Sequence, residues 1–599
     1  MEHSVQAIAP DLWATLRGIV ELDPHAYVAG LALKDSVLVA LAIVLLAGLS
    51  EAIGQSVVLF ANRIPAARFA YSLAVSTVLF VFSYAFLTLS TWVITLLPLA
   101  TRIPLRSLFI VYALSYAPLV LSFLEALPYA GVAIGWLLRI WYLLASLVGI
   151  AAVGHLQLQY AVLYVGIGWI VFAAARQTLG KPILYAGLRV MSAVSGVSFQ
   201  PDETKAIVEA QAAQERTGPS GPATSAEQTS SAPASAPAEH KQPHPLTSRW
   251  QVLAGLIGVI VVGVVIAVAV QPLQQLMFGW MVHLPVPLRI PFDLLWFGLI
   301  AVLVAAILAP LETLGWWAGW YGDQVGSDAA PSSRRSNGAG ISRYMIYLDG
   351  IGQSSSSYTP DVETFLDALE PTLPQRIRLL RGLMVYSVLN KPLEDDPIWS
   401  SFWKIVEATR LADPASFLGM FINLRNVIIV AVSADSRYGP IYNYGIAKLL
   451  YDGLIDDGYQ VGSGVPVTLV GYSGGGQMSA AAASFLKRAL GAPIEVISLG
   501  GVMSGTNDFL ELERLHHLVG DKDGVERLGP ILFASRWKIV WNSFWNRARR
   551  IGIIEQTSLG PVGHQVPGGM FDPKARLANG RTNLENTLLE ISDIVRAKA

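Results

Sequence analysis

The chain has 599 residues, of which 53% are hydrophobic and 14% are charged, and its mean hydropathy is +0.48. Soluble proteins carry about 25% charged residues, so this composition excludes a wholly soluble protein and predicts that part of the chain lies in lipid. The net charge of −1 argues against a nucleic-acid partner. The absence of cysteine excludes disulfides, thiolate metal ligands and cysteine nucleophiles.

Five apolar stretches come first in the chain, and each is close to or above the roughly 20 residues that a helix needs to cross the hydrocarbon core. They predict a five-span membrane domain over residues 1–200, which ends in an amphipathic helix on the membrane surface. The predicted spans are residues 36–60, 69–98, 106–126, 129–153 and 157–176, and the surface helix is 181–200.

A change of composition separates this domain from the rest of the chain. Residues 201–249 are mainly Ala, Ser, Pro, Thr, Gln and Glu, with almost no large apolar side chain. Such a segment cannot bury enough apolar surface to offset its ordering entropy, so it is predicted to be a disordered linker. Two further apolar stretches, 252–271 and 292–315, predict a two-span hairpin over residues 250–322. The hairpin ends in a tryptophan cluster of the kind found at the headgroup level.

Residues 340–599 have a balanced polarity, and their apolar runs are short and separated by helical patterns. This alternation predicts an α/β domain in which a mostly parallel sheet is flanked by helices. The apolar runs are residues 343–348, 378–388, 426–432, 467–471, 494–499, 513–519 and 551–557.

The strongest motif of the α/β region is G-Y-S-G-G at residues 471–475, with Ser473 at its centre. It follows an apolar run and precedes an Ala-rich helical pattern. A strand, a G-x-S-x-G turn and a helix form the context in which a strained turn presents a nucleophilic serine. Side chains at Gly471 and Gly475 would collide with the neighbouring strand and helix. The alternative is an ordinary glycine turn, but this context favours Ser473 as a nucleophile.

With this motif, the region from about residue 343 to the end resembles the α/β-hydrolase superfamily, in which the nucleophile is followed along the chain by an acid and then a histidine. The acid of that family usually stands three residues after a glycine. This implies that Asp523 is the acid, with Asp521 as the alternative. The G-P-V-G-H loop that ends at His564 resembles the family's histidine loop, which implies that His564 is the base. His516 and His517 precede the acid on a predicted strand and are interpreted as packing residues.

The same resemblance implies an oxyanion hole made of two backbone N–H groups. One is expected from Gly474, directly after the nucleophile. The other is expected from Ile351 or Gly352, in the D-G-I-G-Q turn after the predicted strand 343–348. The turn resembles the family's His-Gly turn, with aspartate in the first place.

The first five spans resemble the Yip1-like membrane domains in their number, in their short loops and in segments such as S-Y-A-P at residues 115–118. In an arrangement with the N-terminus outside, most basic residues near the span ends lie inside, which predicts a cytoplasmic α/β domain. Glu51 and Arg139 lie deepest among the charged residues of the spans, and they are predicted to form a structural ion pair.

These patterns together predict a multi-pass membrane protein that is a serine hydrolase. It would cleave an ester, a thioester or an amide of an acyl or lipid substrate, its partner would be the lipid bilayer, and it would need no cofactor or metal. The alternative hypothesis is a membrane scaffold or trafficking protein whose hydrolase-like domain is a catalytically silent binding module.

Overall fold

The computed structural model describes residues 15–178, apart from residue 16, residue 34, residues 56–65 and residues 98–99, and then residues 340–388 and 419–596. Scattered positions are also described between residues 274 and 317. The predicted surface helix 181–200 and the linker 201–249 lie outside the described residues. So does the span 252–271, and the span 292–315 lies outside them except at scattered positions.

The N-terminal region consists of helices, four of which are long and apolar enough to cross a membrane. They confirm four of the five predicted stretches as long apolar helices, with the bounds Ser36–Gly54, Tyr71–Thr95, Leu105–Ala126 and Gly131–Gly154. In the fifth, the apolar stretch found is the shorter Leu158–Val171. The elements are α1 (Pro24–Ala32), α2 (Ser36–Gly54), α3 (Ala66–Thr95), α4 (Leu105–Ser115), a 3-10 helix (Ala117–Ala126), α5 (Gly131–Gly154) and α6 (Leu158–Thr178).

The third of these apolar helices is broken in its middle. The α-helical part ends at Ser115, and the chain continues as a 3-10 helix from Ala117. Pro118 explains the break, because proline has no N–H to donate to the preceding turn. The hydroxyl of Ser50, on α2, compensates for lost helical bonds by donating to Val120 O at 2.8 Å and accepting from Phe123 N at 2.7 Å.

The prediction that Glu51 and Arg139 form an ion pair is wrong. Arg139 Nη2 instead lies 3.1 Å from Glu125 Oε2, at the end of the 3-10 helix. Glu51 accepts a hydrogen bond from Gln55 Nε2, one helical turn later, at 2.9 Å. Hydropathy ranks Glu51 and Arg139 as deepest, but the break in the third helix brings Glu125 against α5, which decides the partner.

The C-terminal region is an α/β domain built on a six-stranded parallel sheet with the order β2-β1-β3-β4-β5-β6. The strands are β1 (Arg343–Leu348), β2 (Ile377–Leu380), β3 (Val467–Tyr472), β4 (Ile494–Leu499), β5 (Arg514–Val519) and β6 (Ile554–Ser558). The helices are α7 (Pro360–Leu369), α8 (Gly419–Ala434), α9 (Gly439–Asp456), α10 (Gly474–Leu490), α11 (Leu528–Leu532), α12 (Phe544–Arg550) and α13 (Asn583–Arg596).

Both faces of the central strands β1, β3 and β4 are buried, as is usual for a parallel sheet covered by its crossover helices. Alternate residues of β1 enter different cores. Ile346 packs in the core formed with α8, α9 and α10, whereas Tyr347 packs in the core formed with α7 and α13. This double burial explains why the strands read as continuous apolar runs in the sequence.

One predicted strand is wrong, because residues 426–432 lie within helix α8. The run V-I-I-V-A-V that follows Asn426 has no polar residue, and a short run of this kind has no periodicity that separates a strand from a buried helix. Helix α8 packs between helix α10 and the N-terminal helical region, which we call the membrane region because of its four long apolar helices. Val430 belongs to the core of the domain, and Ile428 packs in a small cluster with Leu127.

The membrane region and the α/β domain are joined by polar contacts between the turn after α8 and the loop before α5. Arg437 donates to the carbonyl groups of Glu125, at 2.5 Å, and Leu127, at 3.0 Å. Tyr438 Oη donates to the carbonyl of the residue between them at 2.7 Å. Asp435 Oδ2 accepts from Tyr129 N at 2.6 Å. We call this set of contacts the joint.

A buried polar network crosses the amino ends of the strands. Arg343 Nη1 lies 2.8 Å from both Glu495 Oε2 and Thr468 Oγ1. The other oxygen of Glu495 lies 3.1 Å from His516 Nε2. The ion pair is almost inaccessible to solvent, with 8% and 5% of the two side chains exposed.

Arg343→Met is expected to lower the free energy of unfolding by about 3–5 kcal/mol, because Glu495 would keep a buried charge without its main partner. The matched control is Arg514→Met, which breaks an ion pair with Glu555 in which both side chains are about half exposed. That change is expected to cost less than about 1 kcal/mol. Chemical denaturation of the full chain, followed by tryptophan fluorescence, measures both variants. Equal losses would contradict this account of the network.

Candidate active site

Ser473 occupies the turn between β3 and α10, where its backbone has φ 53° and ψ −120°. A positive φ is rare for a residue with a side chain and marks a strained turn. Three hydrogen bonds hold this conformation. The N–H of Ser473 donates to Leu499 O at 3.0 Å, and its carbonyl accepts from Gly476 N at 3.0 Å and Val502 N at 3.2 Å. The strand, strained turn and helix predicted from the motif are confirmed.

The two flanking glycines permit the close approach of α10 to the sheet. A Cβ atom at Gly475 would lie 2.2 Å from Leu348 O, at the end of the neighbouring strand β1. A Cβ atom at Gly471 would lie 2.4 Å from Gly475 O and 2.5 Å from Ser479 Oγ, both on α10. The predicted collisions with strand and helix are therefore confirmed, and the glycines are needed for packing.

Asp523 lies after strand β5, and His564 lies after strand β6, the last of the sheet. The structure brings their side chains together. Asp523 Oδ2 lies 2.8 Å from His564 Nδ1, and both side chains are buried. The other carboxylate oxygen, Oδ1, accepts from the N–H groups of Val525 and Glu526, each at 2.9 Å. The carboxylate is thus fixed by its own turn, with one oxygen directed at the imidazole.

The alternative acid, Asp521, has different partners. Its Oδ1 accepts from Ser558 Oγ at 2.7 Å, and its carbonyl accepts from the Arg527 guanidinium. Its carboxylate is engaged by β6, whereas Asp523, two residues later, contacts the imidazole.

His564 packs against Tyr472, the residue that precedes Ser473 in the turn. The ring of Tyr472 stacks on the imidazole with the centroids 5.0 Å apart and an interplanar angle of 20°. Its hydroxyl donates to His564 O at 2.9 Å. A Cβ atom at Gly500, which directly follows the strand bonded to Ser473, would lie 3.1 Å from His564 Nδ1. Within residues 340–388 and 419–596, no hydrogen bond joins Ser473 to His564.

The two predicted oxyanion donors lie on adjoining segments. Gly474 is the first residue of α10, and a Cβ atom there would lie 2.8 Å from Ile351 Cγ2. Among the hydrogen bonds of the described residues, neither the Gly474 nor the Ile351 N–H donates to a protein acceptor. The N–H of Gly350 is occupied, because it donates to Asp349 Oδ1 at 2.8 Å. Gly474 and Ile351 therefore present N–H groups available to a ligand.

A residue that sequence reasoning missed holds the loop of Ile351 in place. Asn426, which is fully buried on α8, donates from Nδ2 to Ile351 O at 2.7 Å and to Gln353 O at 2.6 Å. Arg425 in turn donates to Asn426 Oδ1 at 2.9 Å. The predicted strand over 426–432 would have placed this side chain in the sheet, so no sequence signal connected it with the loop.

The histidines of β5, His516 and His517, are both buried and are engaged by carboxylates. His517 Nε2 lies 3.1 Å from Glu526 Oε1, and Arg536 Nη2 lies 3.1 Å from the same oxygen. Burial lowers the pKa of His517, which favours the neutral ring. Burial alone would raise the pKa of Glu526, but the hydrogen bonds from His517 and Arg536 and the charge of Arg536 outweigh it and lower the pKa below its usual value. This network adjoins the turn that carries Asp523, because the N–H of Glu526 donates to Asp523 Oδ1.

Metal chemistry has no obvious ligand set in the parts of the chain that the structure describes, where no group of three or more His, Cys, Asp or Glu side chains is placed to hold an ion. Comparison of the chain with protein-family models, curated proteins and solved structures finds no match.

Asn426→Leu is expected to loosen the 350–353 loop, because two buried carbonyl groups lose their donor. An unsatisfied buried polar group costs about 1–3 kcal/mol, which corresponds to roughly tenfold or more in local opening. Hydrogen exchange measured by mass spectrometry should show faster exchange in this loop and unchanged exchange in α10. The matched control is Val427→Ala, at the half-exposed neighbour on the same helix. Unchanged exchange of the loop in Asn426→Leu would show that other contacts hold it.

Proposed function

We propose that the chain is a membrane-anchored serine hydrolase with an α/β-hydrolase fold, which cleaves an ester, thioester or amide through an acyl-enzyme intermediate. The observation that carries the proposal is the buried Asp523–His564 pair beside the strained turn of Ser473. The three residues follow β3, β5 and β6, in the chain order nucleophile, acid, histidine that this fold uses. The carboxyl ends of parallel strands lie at one edge of a sheet, so this order gathers them at one site.

The mechanism follows from the atoms that are engaged. Asp523 holds His564 Nδ1, which leaves Nε2 to accept the proton of Ser473 as its Oγ attacks the substrate carbonyl. The developing oxyanion would be bound by the N–H groups of Gly474 and Ile351, and by the positive end of α10. His564 then gives the proton to the leaving group. Water, activated by the same imidazole, hydrolyses the acyl-enzyme and releases the acid.

The contact between the α/β domain and the membrane region supports an acyl or lipid substrate. The joint fixes the α/β domain to the loop at the end of two apolar helices, and this brings the domain to the membrane boundary. We therefore propose an acyl or lipid substrate taken from the bilayer. The basic residues near the span ends support a cytoplasmic position for the domain.

The proposal predicts that a fluorophosphonate probe labels the purified full chain and that Ser473→Ala abolishes the labelling. The probe reacts with a serine only where a base activates it. The matched control is Ser463→Ala, which removes an exposed serine and should leave labelling unchanged. In-gel fluorescence measures all three proteins. Absence of labelling in the folded native chain would favour the alternative, a membrane scaffold with a catalytically silent domain.

A second prediction separates the two aspartates. Asp523→Asn keeps the shape of the side chain but favours the wrong imidazole tautomer, and it is expected to lower turnover by a factor on the order of 10⁴, as in serine proteases. Asp521→Asn should change turnover by less than about tenfold, because this carboxylate contacts Ser558 instead. Hydrolysis of a simple ester by the two variants measures the difference. The reverse ranking would assign the acid to Asp521.

A further inference from the structure

A segment of the α/β domain between β5 and β6 exposes an unusual amount of apolar surface. Ile539 is 82% exposed and Trp541 is 67% exposed. Large apolar side chains that are exposed together usually mark a surface that contacts a membrane or another protein. We call residues 528–551 the apolar segment. Its exposed apolar side chains are Leu528, Ile531, Leu532, Trp537, Ile539, Val540, Trp541 and Ile551.

The apolar segment is also strongly basic. Residues 527–554 contain six Lys and Arg residues and no Asp or Glu. Three exposed members of this set, Lys538, Arg549 and Arg550, line a cleft of about 350 Å³ together with Asn546. Arg550 also donates to Trp541 O at 2.6 Å and lies over its ring, 5.9 Å from the centroid. Cationic side chains beside exposed tryptophans are the composition of a segment that lies among anionic headgroups.

The position of the apolar segment identifies its partner. Phe533 packs edge-on against the ring of Tyr129, with centroids 5.1 Å apart. Tyr129 belongs to the loop between the 3-10 helix and α5, where two apolar helices of the membrane region end. The apolar segment therefore begins at the level at which the hydrocarbon layer gives way to headgroups, and it is continuous with the joint.

We propose that the apolar segment lies in the headgroup layer of the same bilayer that holds the protein's own helices. Ile539 and Trp541 lie below the phosphates, and Lys538, Arg549 and Arg550 bind the phosphates of anionic phospholipids. This proposal is independent of the hydrolase assignment, because it rests on exposure, charge and the contact with Tyr129.

The absence of cysteine from the chain makes a direct test practicable. Ile539→Cys and, as the matched control, Val461→Cys are each labelled with the environment-sensitive fluorophore NBD. Val461 is 51% exposed in the loop that precedes β3, at the amino ends of the strands and outside the apolar segment. The full-length proteins are placed singly in nanodiscs that contain phosphatidylcholine and phosphatidylglycerol. Quenching by a spin-labelled lipid and by aqueous iodide is then measured.

An interfacial segment buries its apolar face about 5–10 Å into the headgroup and acyl boundary. We therefore expect that the probe at position 539 is quenched by the spin-labelled lipid and protected from iodide several-fold relative to position 461. Equal access of iodide at both positions would overturn the proposal. Protection from iodide without quenching by the lipid would also overturn it and would point to a protein partner or a second copy.

The charge component is tested in the same assay. The substitutions Lys538→Gln, Arg549→Gln and Arg550→Gln are combined with the probe at position 539. We expect the native cations to give stronger lipid quenching with phosphatidylglycerol than in phosphatidylcholine alone, and the triple substitution to remove that difference. Lipid quenching that is the same in both membranes for the native cations would overturn the assignment of anionic headgroups.

Discussion

The close approach of α10 to the sheet is the constraint on which the site depends. Because Gly475 has no side chain, the first turn of α10 lies directly on the end of β1, at the carbonyl of Leu348. This approach leaves Ser473 in a strained turn and brings Gly474 against Ile351. Any larger residue at position 475 would move the helix away from the sheet and would separate the backbone N–H groups of Gly474 and Ile351.

Helix α8 connects this site with the membrane region. Its middle carries Asn426, which holds the loop of Ile351, and Val430, which packs against the start of α10. Directly after its end, Asp435 and Arg437 contact the loop that precedes α5. One helix therefore contacts the loop of Ile351, the start of helix α10 and the membrane region. Its burial between them explains why its second half, from Ile428 to Val432, is apolar.

The sequence predicted the parts of this arrangement that have a local signal. The runs that became β1, β3, β4 and β5 were located to within about one residue, because doubly buried strands are continuous apolar runs bounded by turns. The contact of Asp523 with His564 was predicted from resemblance and is present.

The missed features depend on tertiary contacts. The second half of helix α8 is as apolar as a buried strand, so its pattern does not distinguish the two. The contact of Asn426 with the loop of Ile351 could therefore not be predicted. The partner of Arg139 was wrong because the broken third helix decides which carboxylate faces it. The joint is formed by side chains and backbone groups more than 300 residues apart in the chain, and no pattern in the sequence connects them.

The acceptors that the joint offers to Arg437 and Tyr438 are backbone carbonyl groups, which every amino acid supplies. In related chains we would therefore expect the joint itself to place no constraint on the side chains of residues 125–127, of which Glu125 is held by Arg139, while Asp435, Arg437 and Tyr438 stay under purifying selection. Only the side chains of the α/β domain would then be conserved in the joint. Co-variation analysis would find no residue in the membrane region that changes together with them.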